Sequence, residues 1–260
     1  MLIDTHVHLQ SPQFEGEVDA VLARARAAGI ERFLCPGYDL PSSQAAVELA
    51  GRRADVLAAV GVHPHDSRLY DDATEAAFDA WLASRAAVAA GEMGLDYHYD
   101  HSPRDVQRDV LRRQLRLARR HRVPVVLHNR ASDDDMAAIL QEEAAGLCCV
   151  LHAFDGAPVL AALGSRAGYY FGIGGFLTFK KHRLADIVGD LPREALLLET
   201  DAPYLSPHPQ RGKRNEPAYV EHVAQRLSEL LGIDHDAVVE LTTANAARFL
   251  AGSTPGRHSM

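Results

Sequence analysis

Two histidines stand one residue apart near the start of the chain, in the segment Met1-Leu2-Ile3-Asp4-Thr5-His6-Val7-His8. Successive side chains of a β-strand point to opposite faces, so a strand here would direct His6 and His8 to the same side. Two neutral imidazoles that converge in this way can begin a binding site for a transition metal. The alternative is a surface strand that carries two unrelated histidines, and the rest of the chain decides between them.

More residues of the metal-binding type occur where other predicted strands end, namely His63 and His65, Glu92, His128, His152 and Asp201. Together with the first pair, they outnumber the four ligands that one tetrahedral ion needs. Several such residues that meet at one edge of a sheet are poorly explained as unrelated core or surface groups. The pattern therefore favours a metal site with more than one ion.

A carboxylate can bridge two ions, and Glu92 comes from a middle strand. We predict that Glu92 lies between two divalent ions, whose other ligands are His6, His8 and Asp201 for one ion and His128 and His152 for the other. Two neighbouring cations can activate a water molecule and stabilise the attacking and leaving oxygens. Asp201 is the expected general base, because metal charge keeps it ionised. The ligand types leave Mg, Mn and Zn open.

A basic segment, Arg211-Gly212-Lys213-Arg214-Asn215, follows the last predicted strand. Barrels often bind phosphate at this place, and Arg and Lys suit phosphate oxygens. The alternative is a solvated loop that precedes the next helix. Other strand-end residues could add phosphate contacts or stack on bases; the polar ones are His63, His65, Arg130 and Lys180, and the aromatic ones are Tyr97, Tyr99, Phe154, Phe176 and Phe179.

Strands and helices alternate along the chain eight times. Strands are predicted within 1–8 and at 30–35, 56–62, 86–91, 123–128, 147–152, 169–173 and 195–199, and helices at 15–28, 42–53, 74–84, 103–120, 133–145, 158–166, 181–188, 217–231 and 234–250. This alternation indicates a parallel sheet. The count favours a single-domain (β/α)8 TIM barrel over residues 1–251, with its active site at the carboxyl ends of the strands. A doubly wound open sheet is the second choice, and 252–260 is expected to be a disordered tail.

The composition indicates a globular protein: of 260 residues, 47% are hydrophobic and 24% are charged. The net charge of −8 means that any phosphate-binding surface has to be local. Three cysteines, Cys35, Cys148 and Cys149, argue against a disulfide framework. The sequence shows neither a signal peptide nor an apolar run of membrane-spanning length, so a cytoplasmic location is expected.

The same segments resemble the TatD family of metal-dependent deoxyribonucleases, which are amidohydrolase-type barrels. The matching segments are Asp4–His8, Gly61-Val62-His63-Pro64-His65, Gly91-Glu92-Met93-Gly94-Leu95-Asp96-Tyr97, His128-Asn129-Arg130, His152-Ala153-Phe154-Asp155-Gly156, Leu198-Glu199-Thr200-Asp201-Ala202-Pro203-Tyr204-Leu205 and Arg211–Pro217. They span nearly the whole chain in the family's order, and the last two are very specific.

The resemblance implies a (β/α)8 barrel with two divalent metals that hydrolyses DNA phosphodiester bonds, typically from the 3′ end, in DNA repair or degradation. Single-stranded DNA is the expected substrate. By position, the resemblance implies the metal ligands His6, His8, Glu92, His128, His152 and Asp201, and phosphate contacts from His63, Arg211, Lys213, Arg214 and Asn215.

Three positions depart from the family's common pattern: Gln10 stands where Asp is frequent, Ala153 where Cys is common, and Asn129 where Ser or Cys is common. They leave the substrate preference open. Some similar proteins remove D-amino acids from tRNA, so a D-aminoacyl-tRNA deacylase, or another metal-dependent ester or amide hydrolase, is the alternative enzyme. A binding module with structural metals is a third possibility, although structural zinc sites are usually closed by four ligands.

Overall fold

Eight parallel strands form one sheet in the computed structural model, which describes residues 1–255. The strands are β1 (Leu2–Asp4), β2 (Ile30–Pro36), β3 (Val56–Val60), β4 (Ala89–Asp96), β5 (Val125–Arg130), β6 (Cys149–Leu151), β7 (Tyr170–Ile173) and β8 (Leu196–Leu198). Each strand pairs with the next one in chain order. The predicted count and direction of the strands are confirmed.

Nine α-helices lie within the described residues, namely α1 (Val18–Ala27), α2 (Leu40–Arg52), α3 (Asp72–Ala83), α4 (Arg104–His121), α5 (Asp133–Glu143), α6 (Pro158–Ala167), α7 (Leu184–Ile187), α8 (Val220–Leu231) and α9 (His235–Leu250). Local sequence sets several ends. The Asp39 side chain accepts a hydrogen bond from the Ser42 amide at 2.8 Å and caps α2. Gly168 ends α6 with a φ of 73°, a conformation that suits glycine.

Backbone contacts between the first and last strands close the ring. The Thr5 amide donates to the Leu198 carbonyl at 3.1 Å, and the Asp201 amide donates to the His6 carbonyl at 2.8 Å. Val7 and Ala202 form a parallel bridge just beyond the two strands. This closure confirms the (β/α)8 barrel and excludes the open doubly wound sheet.

A small apolar cluster fills the interior of the barrel, because it takes a side chain from every one of the eight strands. Its strand members include Ile3, Leu34, Ala59, Ala89, Val126, Val150, Tyr170 and Leu197, and α9 adds Ala246 and Phe249. A larger cluster joins the outer faces of the strands to the surrounding helices. The barrel is thus a packed core that leaves its carboxyl-terminal rim as the place for polar groups.

Two strands, β1 and β4, differ most from their predicted extents, and the bounds of the other six differ by at most two residues at either end. β1 ends at Asp4, so His6 and His8 lie beyond it and are not in a regular strand as predicted. β4 runs from Ala89 to Asp96, whereas the sequence predicted 86–91, and Glu92 therefore lies within the strand. The predicted tail begins at 252; its residue Ser253 accepts a 2.8 Å hydrogen bond from the Tyr170 hydroxyl, and 256–260 lie outside the described residues. In residues 1–255, no helix combines the length and apolar character that crossing a membrane requires.

Candidate metal centre

His6 and His8 meet at the carboxyl end of the barrel. Their Nε2 atoms are 3.2 Å apart, and both side chains are buried. Nδ1 of His8 lies 3.2 Å from the Pro36 carbonyl oxygen. A carbonyl can only accept, so Nδ1 carries the proton and the Nε2 lone pair of neutral His8 is free. Two facing ring nitrogens can share one proton or one cation, which fits a metal ligand pair.

Glu92 presents its two carboxylate oxygens to two groups of imidazoles. Oε2 lies 3.4 Å from Nε2 of His6 and 3.8 Å from Nε2 of His8. Oε1 lies 3.0 Å from Nδ1 of His128 and 3.5 Å from Nε2 of His152. This arrangement brings together the predicted ligands of both ions, with Glu92 between them.

Asp201 follows β8 in a left-handed backbone conformation with a φ of 58°, which is uncommon for a residue other than glycine. Its Oδ1 lies 3.3 Å from Nε2 of His8 and 3.7 Å from Nε2 of His6. Burial alone would raise the pKa of Asp201, but the hydrogen bond from His8 and the nearby imidazoles outweigh it and lower the pKa. The carboxylate therefore stays ionised, as a ligand or base must.

Each of the two remaining predicted histidine ligands, His152 and His128, has a buried carboxylate behind it. Nδ1 of His152 lies 2.9 Å from Oε1 of Glu199, and Nε2 of His128 lies 3.4 Å from Oδ2 of Asp96. Carboxylates in this position orient imidazoles that bind metals. Burial opposes a charge on His152, yet Glu199 and Glu92 raise its pKa to about 10, so the pocket around this ring favours a positive charge.

The donor set fits divalent cations. Atoms of the type that binds metals lie within 4.8 Å of one another in three groups: His6, His152 and Asp201; His6, His8 and Glu92; and His63, Glu92 and His128. Burial would raise the pKa of Glu92, but His152, His63 and His128 hold it well below its usual range. A buried ionised carboxylate among imidazoles is the environment that a bound cation would stabilise.

His63 differs from the other histidines of the site, although it is near Glu92. Its Nδ1 accepts a 3.1 Å hydrogen bond from the His65 amide. Burial, with the nearby His128, keeps the pKa of His63 well below its usual range, so the ring is neutral. The proton of the neutral ring then sits on Nε2, and Nε2 has no lone pair for an ion. This geometry suits a hydrogen-bond donor to substrate better than a metal ligand.

A cavity of about 710 Å³ opens above these predicted ligands. The predicted site residues that line it are His8, His63, His65, Tyr99, Glu92, His128, Arg130, His152, Phe176 and Asp201. Arg130 places its guanidinium carbon 4.8 Å from the centre of the Tyr99 ring. Phe176 stacks on His182, with ring centres 4.7 Å apart and an angle of 5° between the rings. The cavity wall is therefore polar and aromatic.

The cationic side chains of the basic loop after β8 differ in what they contact. Arg211 is exposed and lies over the Phe179 ring at 3.9 Å, and exposed Lys213 donates to Gln210 at 3.0 Å. Arg214 donates instead to Glu17 at 2.8 Å and to Glu216 at 3.2 Å.

The next residue of this loop, Asn215, is buried, and its amide group donates to the carbonyls of Thr200 at 2.8 Å and Tyr204 at 2.6 Å. Arg214 and Asn215 therefore bind to other groups of the protein, although the sequence predicts phosphate contacts for both. The role of Asn215 seen here is to hold the loop on the segment after β8.

Two of the predicted rim aromatics lie elsewhere. Phe154 is buried and packs on Phe171 with ring centres 4.9 Å apart, so it is not available to stack on a base. The Tyr97 hydroxyl donates to Asp135 at 2.5 Å. A hydrophobic strand-end residue can point into the helix layer as easily as into the cavity, and the sequence does not distinguish the two.

Sequence reasoning assigned no role to three buried carboxylates of the site. Asp96 and Glu199 stand behind His128 and His152, and Asp4 joins the ends of the first and last strands. All three lie within the segments that resemble the TatD family. The signal was an acidic residue in an apolar strand end, because a carboxylate is rarely fully buried without partners.

A closed barrel whose strand ends gather imidazoles and carboxylates under one cavity belongs to the class of metal-dependent hydrolases with a (β/α)8 fold. The chain is a member of the TatD family, because the family model described as TatD related DNase matches residues 3–251.

The relatives are similar over their full lengths. The Bacillus subtilis (strain 168) protein named uncharacterized metal-dependent hydrolase YabD is 40% identical over 254 residues, which cover 95% of this chain and 98% of that protein. The 3′-5′ ssDNA/RNA exonuclease TatD of Salmonella typhimurium is 34% identical over 252 residues, which cover 94% of this chain and 97% of that protein. The crystal structure of YJJV, a TatD homologue from Escherichia coli K12, has a TM-score of 0.90 and 32% identity, with 96% of this chain and 97% of that chain covered.

Proposed function

We propose that the protein is a two-metal 3′-5′ exonuclease that hydrolyses single-stranded DNA. The observation that carries the proposal is Glu92, whose two oxygens face separate imidazole groups at 3.0–3.8 Å beneath an open cavity. A bridging carboxylate of this kind is typical of paired ions that act on phosphate esters. Relatives at about a third identity that are named ssDNA/RNA exonucleases support the choice of substrate.

Divalent ions bound by these ligands would supply Lewis-acid stabilisation of the phosphate and would activate a water molecule. Asp201 accepts the proton of the attacking water, because its carboxylate is ionised and lies at the cavity wall. The Nε2–H of His63 donates to a non-bridging oxygen of the same phosphate. Its fixed tautomer prepares this donor before substrate arrives.

The nucleic-acid strand would continue over two adjoining loops that follow β7 and β8. The loops contact each other, since the His208 amide donates to the Thr178 hydroxyl at 2.9 Å. All three lysines of the chain lie on these loops, namely Lys180, Lys181 and Lys213, and each is exposed. In a chain with a net charge of −8, this concentration supports a local contact with the sugar–phosphate backbone.

The test is turnover of labelled single strands by protein reconstituted with Mn²⁺ or Mg²⁺. We expect stepwise shortening from the 3′ end, loss of turnover with a chelator, and a loss of about 10²–10⁴-fold in Asp201→Asn. Glu92→Gln should be at least as impaired. The exposed Glu31→Gln and Asp186→Asn are matched controls and should match the unaltered protein. Full activity of Asp201→Asn or Glu92→Gln would refute these roles.

The same assay separates the alternatives. A D-aminoacyl-tRNA substrate, offered in parallel with and without chelator, tests ester hydrolysis by the same centre. If this ester is hydrolysed and the DNA strands stay intact, the proposed function changes from an exonuclease to a deacylase. If neither substrate is turned over with any of the metals tested, a binding protein is favoured. Digestion of 5′- and 3′-labelled strands fixes the polarity, and a role in DNA repair or degradation stays a prediction.

A further inference from the structure

One carboxylate, that of Asp96, faces four hydrogen-bond partners at the carboxyl end of β4. Its Oδ2 lies 2.9 Å from Nε2 of His65 and 3.4 Å from Nε2 of His128. Its Oδ1 accepts from the backbone amides of His98 at 3.0 Å and Tyr99 at 2.9 Å. The residue is 1% exposed, so these neighbours, rather than water, satisfy the carboxylate.

Three histidines face Oε1 of Glu92, and two of them, His128 and His152, turn opposite ring nitrogens towards it. His152 faces Glu92 with Nε2, because its Nδ1 is held by Glu199 at 2.9 Å. His128 faces Glu92 with Nδ1 at 3.0 Å, and its Nε2 points back to Asp96. A carboxylate on one ring nitrogen keeps the proton there and leaves the other nitrogen for an ion.

We propose that Asp96 is a positioning residue, which keeps the proton of His128 on Nε2 and directs Nδ1 at the ion that His128 and His152 would share. The same carboxylate holds the 98–101 loop through its backbone amides, and Tyr99 and His101 of that loop line the cavity. Asp96 therefore couples the position of a metal ligand to the position of a substrate-facing loop. This inference rests on the two-ion centre proposed above.

A carboxamide cannot replace this group, although it has the same shape. All four neighbours donate when both imidazoles carry their protons on Nε2, and an ionised carboxylate accepts on both oxygens. The amide of Asp96→Asn offers one accepting oxygen, and its NH2 group would face either the two imidazoles or the two backbone amides. The substitution should therefore release His128 or the 98–101 loop without a change in side-chain volume.

The unaltered protein allows a direct test of the tautomers. Protein labelled with ¹⁵N-histidine is titrated with Zn²⁺ alone, and long-range ¹H–¹⁵N spectra identify the protonated and metal-bound nitrogens of each ring. We expect the proton on Nε2 of His128 and on Nδ1 of His152 when zinc is bound. The same protonated nitrogen in both rings would overturn the proposal, and this measurement needs no variant that might fail to fold.

Calorimetric titration with Mn²⁺ tests the energetic role. Asp96→Asn should weaken one of the two binding events by about 10–100-fold and leave the other unchanged, because only the ion of His128 and His152 would lose a carboxylate behind its histidine ligand. Asp66→Asn is the matched control, because Asp66 lines the same cavity, and both binding events should persist. Two unchanged binding events in Asp96→Asn, or equal weakening of both, would overturn the proposal.

These measurements also distinguish this proposal from the proposed function. If the unaltered protein binds neither Zn²⁺ nor Mn²⁺, the proposed two-ion centre itself is refuted. Binding of two ions with the predicted tautomers, but without DNA cleavage, would retain Asp96 as a positioning residue and reject the exonuclease. As a further readout, Asp96→Asn should raise KM for single-stranded DNA through the 98–101 loop, whereas Glu199→Gln should affect metal affinity with KM unchanged.

Discussion

The hydroxyl group of Thr200 donates a hydrogen bond to the carboxylate of Asp4 at 2.6 Å, although 196 residues separate them in the chain. Asp4 also accepts from the backbone amides of Thr200 at 3.0 Å and His6 at 3.2 Å. Burial raises the pKa of Asp4 to about 8, and the hydrogen bonds from Thr200 and His6 oppose that rise. One carboxylate thus fixes the two chain segments that carry His6 and Asp201.

Removal of that hydroxyl should destabilise the barrel closure. Thr200→Val leaves a buried carboxyl oxygen of Asp4 without its donor, so we expect the free energy of unfolding to fall by about 1–3 kcal/mol. Thr243→Val is the control, since its hydroxyl contacts the carbonyl of Met1 at the chain start; a change within about 0.5 kcal/mol is expected there. Denaturant unfolding measures both, and equal stabilities of the two variants would contradict this role of Thr200.

Gly172 in β7 leaves the space that Glu199 occupies. A Cβ atom at this position would collide with the Glu199 carboxylate, which holds both His152 and the Ala153 amide. Gly172→Ala should therefore displace Glu199 and lower the affinity for Mn²⁺ by about 10–100-fold. Gly51→Ala is the control, because a Cβ there meets no atom within 4 Å. Calorimetric titration of both variants tests this, and unchanged affinity in Gly172→Ala would show that Glu199 does not set the metal site.

Lys213 and Arg214 are neighbours in the chain with different expected roles. Lys213→Ala should reduce the dependence of DNA affinity on salt by about 0.7 in the log–log slope, the value for one phosphate contact on a single strand. Arg214→Ala should leave the slope unchanged and lower stability, because Arg214 pairs with Glu17 and Glu216. Fluorescence anisotropy at several salt concentrations measures the slopes. A larger slope change in Arg214→Ala than in Lys213→Ala would reverse this assignment.

The three cysteines should be unreactive in the folded protein. Cys35, Cys148 and Cys149 are free and buried. Burial raises the pKa of the Cys35 and Cys148 thiols to about 12 and that of Cys149 well above its ordinary value. The reactive thiolate is thus almost absent at pH 8, and its fraction would rise only as the pH approaches the raised pKa values of the thiols. A disulfide reagent at pH 8 should find no rapidly reacting thiol until denaturant is added; rapid labelling of native protein would contradict the burial.

The positions of most elements could be predicted because their patterns are local. α4 has apolar residues at helical spacing, and α6 begins with Pro158 and stops before Gly168. β4 was harder, because Ala89–Asp96 contains two glycines and no β-branched residue, so its sequence does not favour a strand. Its real extent is fixed by pairing with β5, where Gly94 aligns with His128 and the lack of a side chain allows the close approach.

The gathering of His6, Glu92, His128, His152 and Asp201 could be predicted, because parallel strands of a barrel end at one face. The orientation of their rings could not. Which nitrogen of His128 points inwards depends on Asp96, 32 residues earlier, and the commitment of Arg214 depends on Glu17, 197 residues earlier. Neither the His128–Asp96 pair nor the Arg214–Glu17 pair can be inferred from the spacing of residues along the chain.

The junction of Asp4 with Thr200 also has a consequence for biosynthesis. His6 and His8 leave the ribosome well before Asp201, their carboxylate neighbour. A polypeptide whose translation stops before β8 carries two imidazoles without that acidic partner and without the strand that closes the ring. Prematurely terminated products are therefore unable to assemble this centre, and only chains that extend past β8 acquire it.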